Sequence, residues 1–108
     1  MQLPLTKSVE LSNSHITQDD FVLLERFAAD YRDLLGTEGA AMPVVLETIF
    51  GFVICIGSVT VGGIMAAGAS DAFVRILRYC LDSHSGAILY LAFDRDGDVV
   101  EDLPTFDW

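Results

Sequence analysis

Positive charge is scarce in this chain: six Lys and Arg stand against sixteen Asp and Glu over 108 residues, a formal net charge of −10. A surface of that sign repels phosphate backbones and anionic membrane faces, which argues against direct nucleic-acid binding and against a membrane partner. Cysteine is scarce too. Cys55 and Cys80 both fall in apolar runs rather than in loops, the setting of core thiols in a reducing compartment. Spacing alone leaves a disulfide between them open, but the start Met1-Gln2-Leu3-Pro4 shows no basic stretch followed by an apolar one. Nothing therefore points to secretion, and the expected location is cytoplasmic.

Motifs of chemistry are also missing. The two imidazoles, His15 and His84, and the two cysteines do not form a zinc pattern. Each histidine reads as a surface or loop residue, and His15 suits a structural part in the turn before the first helix better than a catalytic one. The glycines of residues 57–68 have neither the Gly-x-Gly-x-x-Gly spacing nor a Gly-Lys-Ser or Gly-Lys-Thr ending, so a phosphate-cradling loop is not supported. No nucleophile elbow is present either. The run Asp94-Arg95-Asp96-Gly97-Asp98 alternates carboxylates as a calcium loop does. Its Gly comes one residue after the second Asp, however, and the twelfth loop position is Thr105 instead of Glu. A tight hairpin turn at Asp96-Gly97 accounts for the same residues. No cofactor and no enzymatic activity are expected.

The chain length suits one domain with its own core, spanning residues 1–108. Alternation around Val9 and Leu11 predicts a short edge strand. Thr17 then stands as an N-cap, with Asp19 and Asp20 in the first turn of a helix. Phe21, Leu24, Phe27, Ala28, Tyr31, Leu34 and Leu35 form its apolar stripe, and Gly36 its stop. Residues 44–56 are β-branched and aromatic, which predicts two strands parted at Gly51, or one with a bulge, with a buried central strand over residues 52–56. Residues 57–68 extend that strand through Val59 and Val61 and then become a loop of small residues. Ser70 and Asp71 cap a second helix whose apolar face is Phe73, Ile76, Leu77, Cys80 and Leu81, ending near Ser83 or His84. An apolar strand over residues 87–93, the Asp-Gly turn and a return strand over residues 98–103 complete the order. The expected fold is α+β, two helices packed on one face of a mainly antiparallel sheet of four to five strands.

Residues 48–69 carry no charge and are long enough to cross a bilayer. Five glycines, Ser58, Thr60 and the lack of a flanking basic cluster weigh against a span and for buried strands. The high apolar content also leaves room for a homodimer interface.

Carboxylates gather at the end: after residue 93 come Asp94, Asp96, Asp98, Glu101, Asp102 and Asp107, with Arg95 the only base. Phe106 and Trp108 lie among them. Acids beside aromatics are the residue mix of an interaction edge, while terminal aromatics also dock for their apolar area. Both readings hold together if a docked tail displays its acids. The candidate interaction residues are Asp94, Asp96, Asp98, Glu101, Asp102, Asp107 and Trp108.

Three segments carry a resemblance. Ser14-His15-Ile16-Thr17 leads into Asp20 and Leu23-Leu24. Gly68-Ala69-Ser70-Asp71-Ala72-Phe73 starts the second helix. Phe93-Asp94-Arg95-Asp96-Gly97 is followed by Leu103-Pro104, Phe106 and Trp108. Together they resemble a family of short uncharacterised proteins of plasmids, prophages and other mobile elements. That resemblance implies no catalytic residue. It implies a setting in which an acidic protein of this size binds a host or competitor protein, including a defence nuclease of the restriction or CRISPR kind, at a basic groove kept for nucleic acid. The expectation is thus a non-enzymatic protein-binding accessory protein whose partner has a basic surface. A small ligand-binding domain or enzyme with a pocket hidden from sequence is the alternative, and a membrane-associated protein the second alternative.

Overall fold

The computed structural model describes Leu3 and residues 7–33, 42–82 and 88–108. Strand β1 (Lys7–Ser12) runs through a 3-10 turn (Asn13–His15) into helix α1 (Gln18–Asp33). Strands β2 (Val45–Glu47) and β3 (Gly51–Cys55) follow, then a second 3-10 turn (Ile56–Ser58), helices α2 (Val61–Ala66) and α3 (Asp71–Asp82), and strand β4 (Ile88–Asp94). The sheet order is β1-β4-β3-β2.

Phe52 of β3 lies directly opposite Phe93 of β4, so both rings leave the sheet on one face. Phe21 of α1 meets Phe52 edge-on at 4.9 Å, and Phe73 of α3 meets Phe93 at 5.7 Å. The two long helices therefore cover the same face, as the stripe patterns predict, and close an α+β core that also takes in Leu24, Ile54, Ile64, Leu77 and Leu91.

Two helix starts are joined through one buried carboxylate. Thr17 Oγ1 accepts the Asp20 N–H at 3.1 Å while Asp20 Oδ2 accepts the Thr17 N–H at 3.0 Å, a reciprocal cap on α1. Asp20 is buried, and its other oxygen accepts the Ser70 N–H at 2.8 Å. The Ser70 hydroxyl donates to Asp20 Oδ2 and accepts the Phe73 N–H at 3.2 Å, capping α3. One side chain thus satisfies donors at the beginnings of both helices.

Several expectations need correction. The sheet is mixed: β3 pairs antiparallel with β2 and β4, but β1 pairs parallel with β4. No return strand forms over residues 98–103, because β4 already has β1 on one edge and β3 on the other. The Asp96-Gly97 turn does form, and its outgoing chain bridges Leu11 at Asp98 instead. Residues 57–68 do not extend β3. Ser58 Oγ donates to the Cys55 carbonyl at 2.6 Å and accepts the Val44 N–H at 2.8 Å, which turns the chain. Thr60 then caps α2 through the Gly63 N–H at 3.0 Å. The apolar run 48–69 is therefore divided among short elements, and no helix among the described residues is long and apolar enough to cross a membrane. Both cysteines are free; Cys80 is buried, whereas Cys55 is only partly so. The expectations for Leu34, Leu35, Gly36, Ser83 and His84 lie outside the described residues.

Candidate functional site

The candidate residues lie on the segment that leaves β4 and wraps over the end of β1 and the turn that follows it. Asp94 Oδ1 accepts the Asp96 N–H at 2.8 Å, and the Asp94 carbonyl accepts the Gly97 N–H at 3.1 Å, so Asp94 shapes the turn. A Cβ on Gly97 would stand 2.4 Å from the Leu11 carbonyl oxygen. Only glycine lets the turn cross β1 that closely. Beyond it the Ser12 N–H donates to the Asp98 carbonyl at 2.8 Å and the Phe106 N–H to the Ser14 carbonyl at 2.7 Å.

His15 stands at the centre of this wrap, completely buried rather than on the surface, in the turn before α1 and in the kind of structural part expected of it there. Nδ1–H donates to the Pro104 carbonyl at 2.8 Å, and Nε2 accepts the Val100 N–H at 2.9 Å. The backbone donor on Nε2 fixes the neutral tautomer with its proton on Nδ1. Neither nitrogen is left to move a proton for a substrate. The ring works as a clasp between residues 100 and 104, a part no local sequence signal announces, because its partners are backbone groups far along the chain.

Trp108 closes the wrap. Its indole N–H donates to the Ile16 carbonyl at 2.9 Å and its ring lies 5.1 Å from Phe21, yet 49 % of the residue is exposed. Docking and display are combined, as they are for the carboxylates. Asp96, Asp98, Glu101, Asp102 and Asp107 all face solvent, while Asp94 is half-buried. The wrap holds their backbone in place, which sets where these charges leave the chain.

Next to Trp108 lies a cleft of about 300 Å³ lined by Phe21, Phe50, Arg95, Glu25 and Glu47 among others. The Arg95 guanidinium stacks 4.0 Å above the Phe50 ring, and the Arg95 N–H donates to the Phe50 carbonyl at 3.0 Å. Ile49, beside Phe50 between β2 and β3, is 90 % exposed. Sequence reasoning missed Ile49, Phe50 and Arg95 as neighbours of Trp108, because only the β3–β4 register brings residue 50 beside residue 95. The signal was the apolar pair Ile49-Phe50 immediately before a glycine. Tryptophan, arginine and phenylalanine stand around one depression, with Glu25 and Glu47 also in its walls; aromatic residues and arginine are the side chains enriched in protein-binding hot spots.

Among the described residues no group of three or more His, Cys, Asp or Glu is placed to hold a metal. Burial pushes the Cys80 thiol up to about 11, which makes it inert as a nucleophile. Neither a curated protein nor a solved structure matches this chain. One family profile does, the C-terminal domain of the family of unknown function DUF5983, over residues 8–108. With that match spanning β1 through Trp108, the chain belongs to the DUF5983 family.

Proposed function

We propose that this chain is a non-enzymatic binding protein that presents its C-terminal wrap to a protein partner with a basic surface. The supporting observation is that residues 98–108 are tied down by backbone bonds, by His15 and by the Trp108 indole, while five carboxylates on or next to that segment point to water. An acidic face on an anchored backbone, with an aromatic and arginine cleft beside it, combines steering with anchoring. The carboxylates raise the encounter rate with a basic groove, and Trp108 and Phe50 offer apolar area to bury. The finer proposal, an inhibitor of a host defence nuclease, follows from the same complementarity, since such nucleases keep a basic groove for nucleic acid.

The test reverses charge without touching the clasp. Asp96, Asp98, Glu101 and Asp107 are changed together to Lys, leaving Asp94 to hold its turn. In a host carrying a restriction or CRISPR system, expression of the native chain should raise the plating efficiency of a targeted phage, and the reversed variant should not. Equal plating with native chain, variant and empty vector would remove the defence-inhibitor reading.

A further inference from the structure

A cavity of about 490 Å³ opens at the β1 edge of the fold, between β1, α3 and the C-terminal wrap. It is separate from the Trp108 cleft and shares no lining residue with it. Its walls are mostly apolar: Val9 and Leu11 from β1, Ile76 and Tyr79 from α3, and Val100 and Leu103 from the wrap. The cavity exists because β1 is the sheet edge and α3 lies over β4. The wrap, fastened by His15, roofs the gap left beside the helix.

Two opposite charges line this otherwise apolar space, Arg75 and Asp102. They are not paired with each other; the ion pairs among the described residues are Arg32–Asp33 and Arg95–Asp96. Both line the same space, and each is exposed and open to a ligand from solvent. The Arg75 guanidinium suits a carboxylate, which it grips with two parallel donors. The Asp102 carboxylate suits an ammonium. The volume lies within the range of small-molecule sites, and an apolar lining with a few converging polar groups is their usual construction.

We infer that this cavity binds a small zwitterion of the amino-acid class with an apolar body, its carboxylate on Arg75 and its ammonium toward Asp102. The net charge of −10 disfavours a simple anion at most of this surface, and a zwitterion avoids that penalty. This inference shares Asp102 with the acidic face but does not rest on that reading, because its ligand is a small molecule and its cavity is not the cleft beside Trp108.

The experiment is amide-resolved NMR titration of the intact chain with three probes: L-phenylalanine, 3-phenylpropionate, which lacks the ammonium, and phenethylamine, which lacks the carboxylate. L-phenylalanine at millimolar concentration should shift the amides of Val9, Leu11, Ile76, Val100 and Leu103, and each analogue should bind about tenfold more weakly, the loss of one charged contact. Arg75→Gln should weaken L-phenylalanine and 3-phenylpropionate but leave phenethylamine unchanged. Asp102→Asn should weaken L-phenylalanine and phenethylamine but leave 3-phenylpropionate unchanged. Both side chains are exposed, so an unchanged amide spectrum away from the cavity certifies the fold of each variant. No shift with any probe, shifts elsewhere on the molecule, or equal binding of all three probes would overturn the inference.

Discussion

Replacing His15 tests the clasp that holds the acidic face in place. The native imidazole makes two hydrogen bonds, to the Pro104 carbonyl and from the Val100 N–H. Both of those residues reach solvent, so the freed groups regain water, and each bond is worth about 1 kcal/mol net. The ring is fully buried, and truncating it to Ala leaves a void that adds about 1–2 kcal/mol. His15→Ala should therefore cost about 3–4 kcal/mol out of the 5–15 kcal/mol typical of a small domain, and His15→Phe, which keeps the volume, about 2 kcal/mol. The assay is urea unfolding followed by far-ultraviolet circular dichroism and by the emission of Trp108, the only tryptophan. In the native chain the two signals should change together. In His15→Ala the Trp108 emission should shift to the red at lower urea than the helical signal, because the wrap loosens before the core. A loss below about 1 kcal/mol with coincident transitions would refute the clasp.

Two further perturbations probe the scaffold. Asp20→Ala removes the acceptor of the Thr17 N–H, the Ser70 N–H and the Ser70 hydroxyl; it should cost about 3 kcal/mol or more in the same urea assay, and Ser70→Ala in that background should add little, because the two share one network. Cys80, with its thiol raised from 9.0 to about 11, should react with a thiol reagent at mildly alkaline pH only after the partly buried Cys55. The raised value means that the fold favours the neutral thiol. The associated stability is complete below pH 9 and is lost as pH rises from 9 toward 11, on the order of 3 kcal/mol in all. Cys80→Ala should flatten that alkaline fall.

The parts of the fold that follow local rules were legible in the sequence. The stripe from Phe21 to Tyr31, the cap at Thr17 and the Ser70-Asp71 start of α3 each express a contact within one turn of helix, which spacing reports directly. Gly51 separated β2 from β3 for a reason that sequence hints at and structure explains: a Cβ there would stand 1.8 Å from the Phe93 carbonyl oxygen. What sequence did not show was set by long-range pairing. Asp96-Gly97 is a sound turn signal, yet where its outgoing chain goes depends on whether β4 has a free edge, and β1 had taken it in parallel. The Thr60 cap was hidden because Val59 and Val61 read as strand residues, and tertiary context overrode that propensity. The acids of the site were visible as a charge count. The clasp of His15 and the meeting of Phe50, Arg95 and Trp108 were not, since each joins segments far apart in the chain.

The most direct measurement is affinity capture from lysate of a bacterial host with the native chain and the Lys-reversed variant side by side, at low and at high salt, with bound proteins identified by mass spectrometry. The account predicts a basic nucleic-acid-handling protein held by the native chain at low salt, released at high salt, and absent from the variant. Capture of the same protein by both chains, with no response to salt, would contradict it.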